Sequence, residues 1–328
     1  MLATTMLAAT MLAAVAFGQE VVPSGESHGA AVEGTLRSGS PYEGVSNVQQ
    51  ESYDQSDESP DPQSLLEDAL RILEMRRSVV ARIRQEIDLF GKRLVGSGIY
   101  LEQLQGRDRL VRLELKIQHG EQASSLVQVA ALPDKNGRRF LWTKRKVLDT
   151  EQLSRIDLDQ VAKELERADT ETPRFDQPAM LQAEGGLAKI LRGLHASFDF
   201  TDAQLGRLGK QGQLVWRIQG QWKPEQLARA VPKLREEGRA ATPLDPSRLP
   251  PHLPDLVVLH LRHEDLFPYR IEYRRTVSQR STRAMVTMEF YDIVVDMAVS
   301  PRRFEYNPGD LDYTDDTADY LDSLRGEK

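Results

Sequence analysis

Cysteine is absent from all 328 residues. That excludes disulfides, thiolate metal sites and cysteine nucleophiles, and with them a lipid anchor attached through an N-terminal cysteine. Concentrated basic charge is missing as well: 43 Lys and Arg are spread along the chain against 50 Asp and Glu, for a net charge of −7. Binding a phosphate backbone requires a concentrated basic face, so nucleic acid is not an expected partner. The densest basic run, RRSVVARIR at residues 76–84, reads as the solvated face of an amphipathic helix. Neither a phosphate loop nor an H-E-x-x-H helix occurs.

The remaining candidates for chemistry are thin. Of the six histidines, the nearest pair is His260 and His263; three apart in a strand, they point to opposite faces and cannot converge on one metal ion. The acidic run DLDYTDDTADYLD, residues 310–322, departs from a calcium loop. It places Asp315 and Leu321 where glycine and a bidentate glutamate belong. Pairs such as Asp157 with Asp159, or Asp199 with Asp202, are what 50 acidic residues produce by chance. Neither catalysis nor a cofactor or metal is expected.

What is present begins with MLATTMLAATMLAAVAFG, an uncharged run of 18 residues that turns polar at Gln19 and Glu20. An apolar core ending in small residues is the form of an export signal. A membrane-spanning helix needs about 20 consecutive apolar residues, and this run carries three threonines among its alanines. Residues 1–18 are therefore expected to be a cleaved leader, leaving no transmembrane anchor and placing the protein in the periplasm. Residues 19–63, rich in Ser, Gln, Asp, Glu and Pro, cannot bury enough apolar surface to offset chain entropy, and read as a disordered spacer.

From residue 64 the pattern becomes regular. Leu66, Leu70, Leu73, Val80, Ile83, Ile87 and Phe90 recur at helical spacings and predict one long amphipathic helix, with Asp61 and Pro62 as its start and Gly91 as its stop. The period then falls to two: Val111, Leu113, Leu115 and Ile117 alternate with charged residues. With runs at 98–104, 125–132, 139–146 and 152–158, they predict an antiparallel meander, followed by a short helix at 159–168. A second block predicts a helix at 186–195, a hairpin at 196–222, a helix at 224–235 and three strands at 255–263, 269–277 and 284–297. The apolar phase of the last strand shifts after Phe290, which predicts a bulge at 290–292. The class is α+β with a strongly curved sheet.

Trp142 and Trp216 both lie in alternating runs. Large aromatics on the inner side of a curved sheet either line an apolar cavity or make ordinary core.

The order of these elements resembles the LolA-like, outer-membrane lipoprotein-carrier family. RRFLWTKRKV (138–147) and SRIDLDQV (154–161) follow the first meander, and the chain closes with LFPYRIEYRR (266–275) and TMEFYDIVVDMAVSPRRFEYNPGD (287–310). Those last two strands, with Pro301, Phe304 and Pro308, carry most of the likeness. The resemblance implies an unclosed β-barrel over residues 64–309 whose helices cover an apolar cavity; the acidic composition of residues 310–328 predicts a flexible tail after it. It implies a periplasmic carrier of an acyl chain, a lipoprotein or another apolar ligand. Leu113, Leu115, Ile117, Trp142, Trp216, Ile218 and Phe290 are its candidate lining. The family's cavity arginine corresponds to Arg107, Arg109 or Arg112. A structural or regulatory envelope protein, using the sheet to bind other envelope proteins, is the alternative.

Overall fold

Residues 64–90 do not form one helix. In the computed structural model, which describes residues 59–325 except 90–91, 107, 120–121, 148, 168–177, 211, 232–248 and 279–280, this stretch divides into helix α1 (Pro62–Met75) and strand β1 (Ser78–Leu89). Asp61 caps α1 by accepting from the Ser64 N–H at 2.8 Å, and Arg76 leaves it with an extended ψ of 133°. Beyond that point the burial is two-fold: Val79, Ala81, Ile83, Ile87 and Leu89 are buried and their neighbours are more exposed. Val80, Ile83 and Ile87 fit a helical spacing only over a short window. Pairing with strands on both sides gives this backbone its hydrogen bonds, and tertiary pairing outweighs local propensity.

The first meander continues through β2 (Lys92–Gln105), β3 (Asp108–His119), β4 (Gln122–Ala130), β5 (Phe140–Val147) and β6 (Thr150–Asp157). Helices α2 (Leu158–Arg167) and α3 (Pro178–Ser197) lead to β7 (Phe198–Leu208) and β8 (Gln213–Trp222). Helix α4 (Pro224–Ala230) precedes β9 (Leu256–Arg262), β10 (Pro268–Ser278) and β11 (Ser281–Val295). After a 3₁₀ turn at Pro301–Phe304 come β12 (Thr314–Asp315) and α5 (Thr317–Arg325). The expected leader and all but the last few residues of the expected spacer lie outside the described residues. No helix among the described residues is long and apolar enough to cross a membrane.

All strands join one 12-stranded sheet in the order β12-β6-β5-β4-β3-β2-β1-β11-β10-β9-β8-β7. Antiparallel pairing of β1 with β11, Ile83 opposite Phe290, fuses the two meanders. The expected bulge is at Asp292, with a φ of 50°, where the register slips between Tyr291 and Val294. Strands β7 and β12 end on opposite edges, so the sheet is unclosed, as expected. This order has a consequence for the helices. The chain leaves β6 near one edge and re-enters at β7 on the other, and α3 makes the crossing, packed on β3, β4 and β7.

The tail expected to be flexible is ordered through Arg325. β12 pairs in parallel with β6, the Thr317 hydroxyl accepts from the Asp157 N–H at 2.9 Å, and Tyr320 is buried. Its aromatic residues supply what its acidic composition concealed. Tyr306 stacks on Trp142 at 5.4 Å, and Tyr313 meets the same ring edge-on at 5.2 Å. Arg155 lies 4.6 Å over both Phe140 and Tyr313. Phe304, Tyr306 and Tyr313 thus strap the face of the sheet opposite the helices, and α5 then returns Tyr320 to the main cluster.

On that same outer face, His260 and Glu272 are both buried, with Nε2 and Oε1 3.5 Å apart. Burial alone would raise the Glu272 carboxyl, but the hydrogen bond from His260 and the charges of Arg270 and Arg274 outweigh it and lower the group to about 2. Burial also lowers the His260 imidazole below 6.5, against the pull of Glu272. Both folded values lie below the unfolded ones, so the unfolded chain binds more protons as pH falls. Stability should be full above about pH 6.5 and decline through pH 4.5 towards 2, by on the order of 3 kcal/mol from Glu272. Urea midpoints measured from pH 7 to pH 3 should show this decline, and Glu272→Gln should flatten it below pH 4.5. An equal slope in both proteins would remove Glu272 as the cause.

Candidate functional site

The inner face of the sheet is a largely apolar surface covered mainly by α1 and α3, with Leu158 and Val161 of α2, Leu227 of α4 and Tyr320 of α5 in the same buried cluster. Leu113, Leu115 and Ile117 of β3, Ile218 of β8 and Phe290 of β11 all belong to the main buried cluster, and Trp216 packs at its margin. Trp216 also stacks on His263 at 5.8 Å. Trp142 does not join them. It lies on the outer face with Val129, Phe140 and Leu153, because Leu141, its neighbour in the alternation, points inward. Against the inner face α1 presses Leu65, Leu66, Ala69 and Leu73, and α3 presses Leu187, Ala188, Leu191 and Leu194. These side chains occupy the apolar surface that a ligand would use.

The covering helices are tied to the sheet by a small buried polar group. Tyr100 and Glu102 stand two apart on the inner side of β2, where every neighbouring inward position is apolar or glycine. The Tyr100 hydroxyl donates to Glu102 Oε2, and Arg109 Nη1 donates to Glu102 Oε1. Arg109 Nη2 reaches the open carbonyl end of α1, donating to Leu73 O at 3.0 Å and Glu74 O at 2.6 Å. At the other side Glu102 Oε2 accepts from the Leu187 N–H at 3.1 Å. Each charge meets the helix end that favours it: a cation at the carbonyl terminus of α1, a carboxylate at the N–H terminus of the second half of α3. Burial, followed by the charge and hydrogen bond of Glu102, pushes the Tyr100 phenol well above its ordinary value, so it remains a donor.

Gly186 makes this contact possible. Its φ of 65° and ψ of −160° break α3, a conformation essentially reserved to glycine. A Cβ there would also overlap the Glu102 carboxyl group. Two ties hold the helices to one another: His195 Nε2 lies 3.1 Å from Glu67 Oε1, and Arg192 pairs with Glu74.

Of the three candidate arginines, Arg107 lies outside the described residues and Arg112 faces outward, donating to Arg303 O at 2.9 Å in the strap. Arg109 alone among the described candidates reaches the helices. Glu102, Tyr100 and Gly186 escaped sequence reasoning. Their signal is a lone carboxylate in phase with inward residues, and a Gly-Gly step before an apolar helix. A separate cleft of about 400 Å³ lies on the rim between Arg77, Gln103, Asp296 and Met297, beside the end of α1. No group of acidic and histidine side chains among the described residues is arranged to hold a metal ion.

No protein-family model matches the chain, and no curated protein matches it in sequence. Solved structures that match include LprF from Mycobacterium bovis, at 12% identity; the match covers 76% of this chain and 98% of that one, with a TM-score of 0.36. A LolA-superfamily protein from Nitrosomonas europaea matches at 10% identity, covering 76% and 99%, with a TM-score of 0.23. MucB, in its complex with MucA from Pseudomonas aeruginosa, matches at 11% identity and a TM-score of 0.36; the match covers 75% of this chain and 61% of MucB's chain.

Proposed function

We propose that this chain, LolA-like in the plan of its sheet and helices, is a non-catalytic carrier of an acyl chain or similar apolar ligand outside the cytoplasmic membrane. The observation that carries the reading is the construction of the inner face: an apolar sheet surface, formed by β3, β8 and β11 among other strands, under helices α1 and α3, whose ends are pinned by Arg109 and Glu102. Moving α1 and α3 aside exposes that surface, and a ligand then takes the place of their leucines. Hydrocarbon transferred from water contributes about 0.8 kcal/mol per CH₂, so binding needs no reactive group. Leu113, Leu115, Ile117, Ile218 and Phe290 are the lining, with Trp216 at its margin. Export through the leader at residues 1–18 is part of the proposal.

The test is a titration of an uncharged apolar fluorophore into the purified protein. Saturable fluorescence enhancement that a long-chain fatty acid reverses is the expected result. Absence of saturable binding would overturn the carrier reading. Replacing Leu115 by Glu, which puts an unpaired charge on the inner face, should abolish the signal or the fold, and circular dichroism separates the two outcomes.

A further inference from the structure

The inner face is not apolar throughout. On β4 and β5 the inward positions beside Leu126 and Leu141, both in the main buried cluster, are Gln128, Thr143 and Arg145. Gln128 pairs with Thr143 across the two strands, and Arg145 with Leu126. Gln128 is 2% exposed and Thr143 4%, while Arg145 is half-buried. The bond between them is Gln128 Nε2 to Thr143 Oγ1 at 3.5 Å, the outer limit of a hydrogen bond. Gln128 Oε1 and Arg145 Nε are buried and have no hydrogen-bond partner. Unsatisfied buried donors and acceptors are rare in folded proteins, and each calls for an explanation. Burial lowers the Arg145 guanidinium, with Asp316 opposing, yet arginine keeps its charge in proteins.

The same strands carry this patch straight into the apolar lining. Across β3, Gln128 faces Leu113 and Arg145's partner Leu126 faces Leu115. A cation with a free N–H therefore stands two strands beyond the leucines proposed to hold hydrocarbon. We propose that Arg145, with Gln128 and Thr143, binds the anionic headgroup of the ligand, which makes the cargo a long-chain amphiphile ending in a carboxylate or phosphate. The guanidinium suits both anions, the Thr143 hydroxyl adds a donor, and the Gln128 side chain can turn its amide N–H groups towards the anion. The inference rests on the carrier reading.

Its test compares ligands of one chain length in displacement of the uncharged fluorophore: palmitate, hexadecyl phosphate and hexadecanol, with inorganic phosphate alone as a fourth arm. Charged-group hydrogen bonds predict that the two anions bind roughly tenfold or more tightly than the alcohol. Arg145→Met, which keeps the apolar stem, should erase that preference and leave hexadecanol binding unchanged, so the alcohol also reports that the variant is folded. Gln128→Leu should reduce the preference in the same direction. Equal binding of acid and alcohol by the native protein, or an unaltered preference in Arg145→Met, would overturn the headgroup site while the carrier reading stands. Binding of none of the three amphiphiles would overturn both. Saturable protection by inorganic phosphate without displacement of the fluorophore would make the patch a small-anion site and overturn the amphiphile assignment.

Discussion

Arg109→Ala should cost about 3–5 kcal/mol of stability, the effect of breaking a buried ion pair by removing one partner. The side chain is 12% exposed and its partner Glu102 2%, so water cannot replace the lost guanidinium without the helices moving. The substitution leaves Glu102 charged among apolar side chains, and it strips the donor from the Leu73 and Glu74 carbonyls at the end of α1. Glu102→Gln should cost less, because an amide oxygen still accepts from the Leu187 N–H and the charge left without a counterion, Arg109, is the more exposed partner and keeps its bonds to the Leu73 and Glu74 carbonyls. The double variant Glu102→Gln with Arg109→Ala should be more stable than the sum of the single changes predicts, since it removes both charges together. Urea midpoints of the four proteins measure this. Under the carrier proposal Arg109→Ala should also take up the apolar fluorophore faster, because α1 has lost its tie to the sheet. A loss below about 1 kcal/mol, the range of an exposed pair, would show that the pair does not hold the helices.

The other large effect is expected at Gly98. It lies on β2 opposite Leu115, and a Cβ there would overlap the carbonyl of Glu114 and lie 3.1 Å from the Leu115 Cα. The obstruction is backbone, so no side chain can turn away. β2 and β3 would have to separate in the middle of their ladder, which places Gly98→Ala near the upper end of overpacking costs, about 3 kcal/mol. Gly96→Ala is the control: its nearest neighbour is the Ile117 side chain at 3.3 Å, which can yield by a few tenths of an ångström, and its cost should be well under half as large. The two glycines stand two apart on one face of β2, so the variants differ only in what the added methyl group meets. Equal melting temperatures for the two variants would contradict that account.

Much of the sheet was legible because strand alternation is a property of the chain itself. The runs around Val111, Trp216 and Phe290 fall in β3, β8 and β11, and the phase shift in the last strand marked its bulge. The long helix was misread because Val80, Ile83 and Ile87 satisfy a period of 3.6 nearly as well as one of two over so few residues. The pairing of β1 with both β2 and β11, between residues far apart in sequence, resolved it. The tail was misread because acidic composition predicts solvation, whereas Tyr313 and Tyr320 anchor it.

The sequence by itself determined which positions alternate, that no thiol chemistry is available, and that the ending resembles a carrier's. It could not say which side of an alternating strand becomes the inside when both sides are covered. Trp142 and Leu141 are equally apolar neighbours, and only the strap on one face and the helices on the other assign them. In the same way Arg109 and Arg112 both stand on β3. The docking of α1 above one face alone makes Arg109 the residue that holds the helices, because a guanidinium acts on whatever carbonyls the tertiary structure brings within its reach.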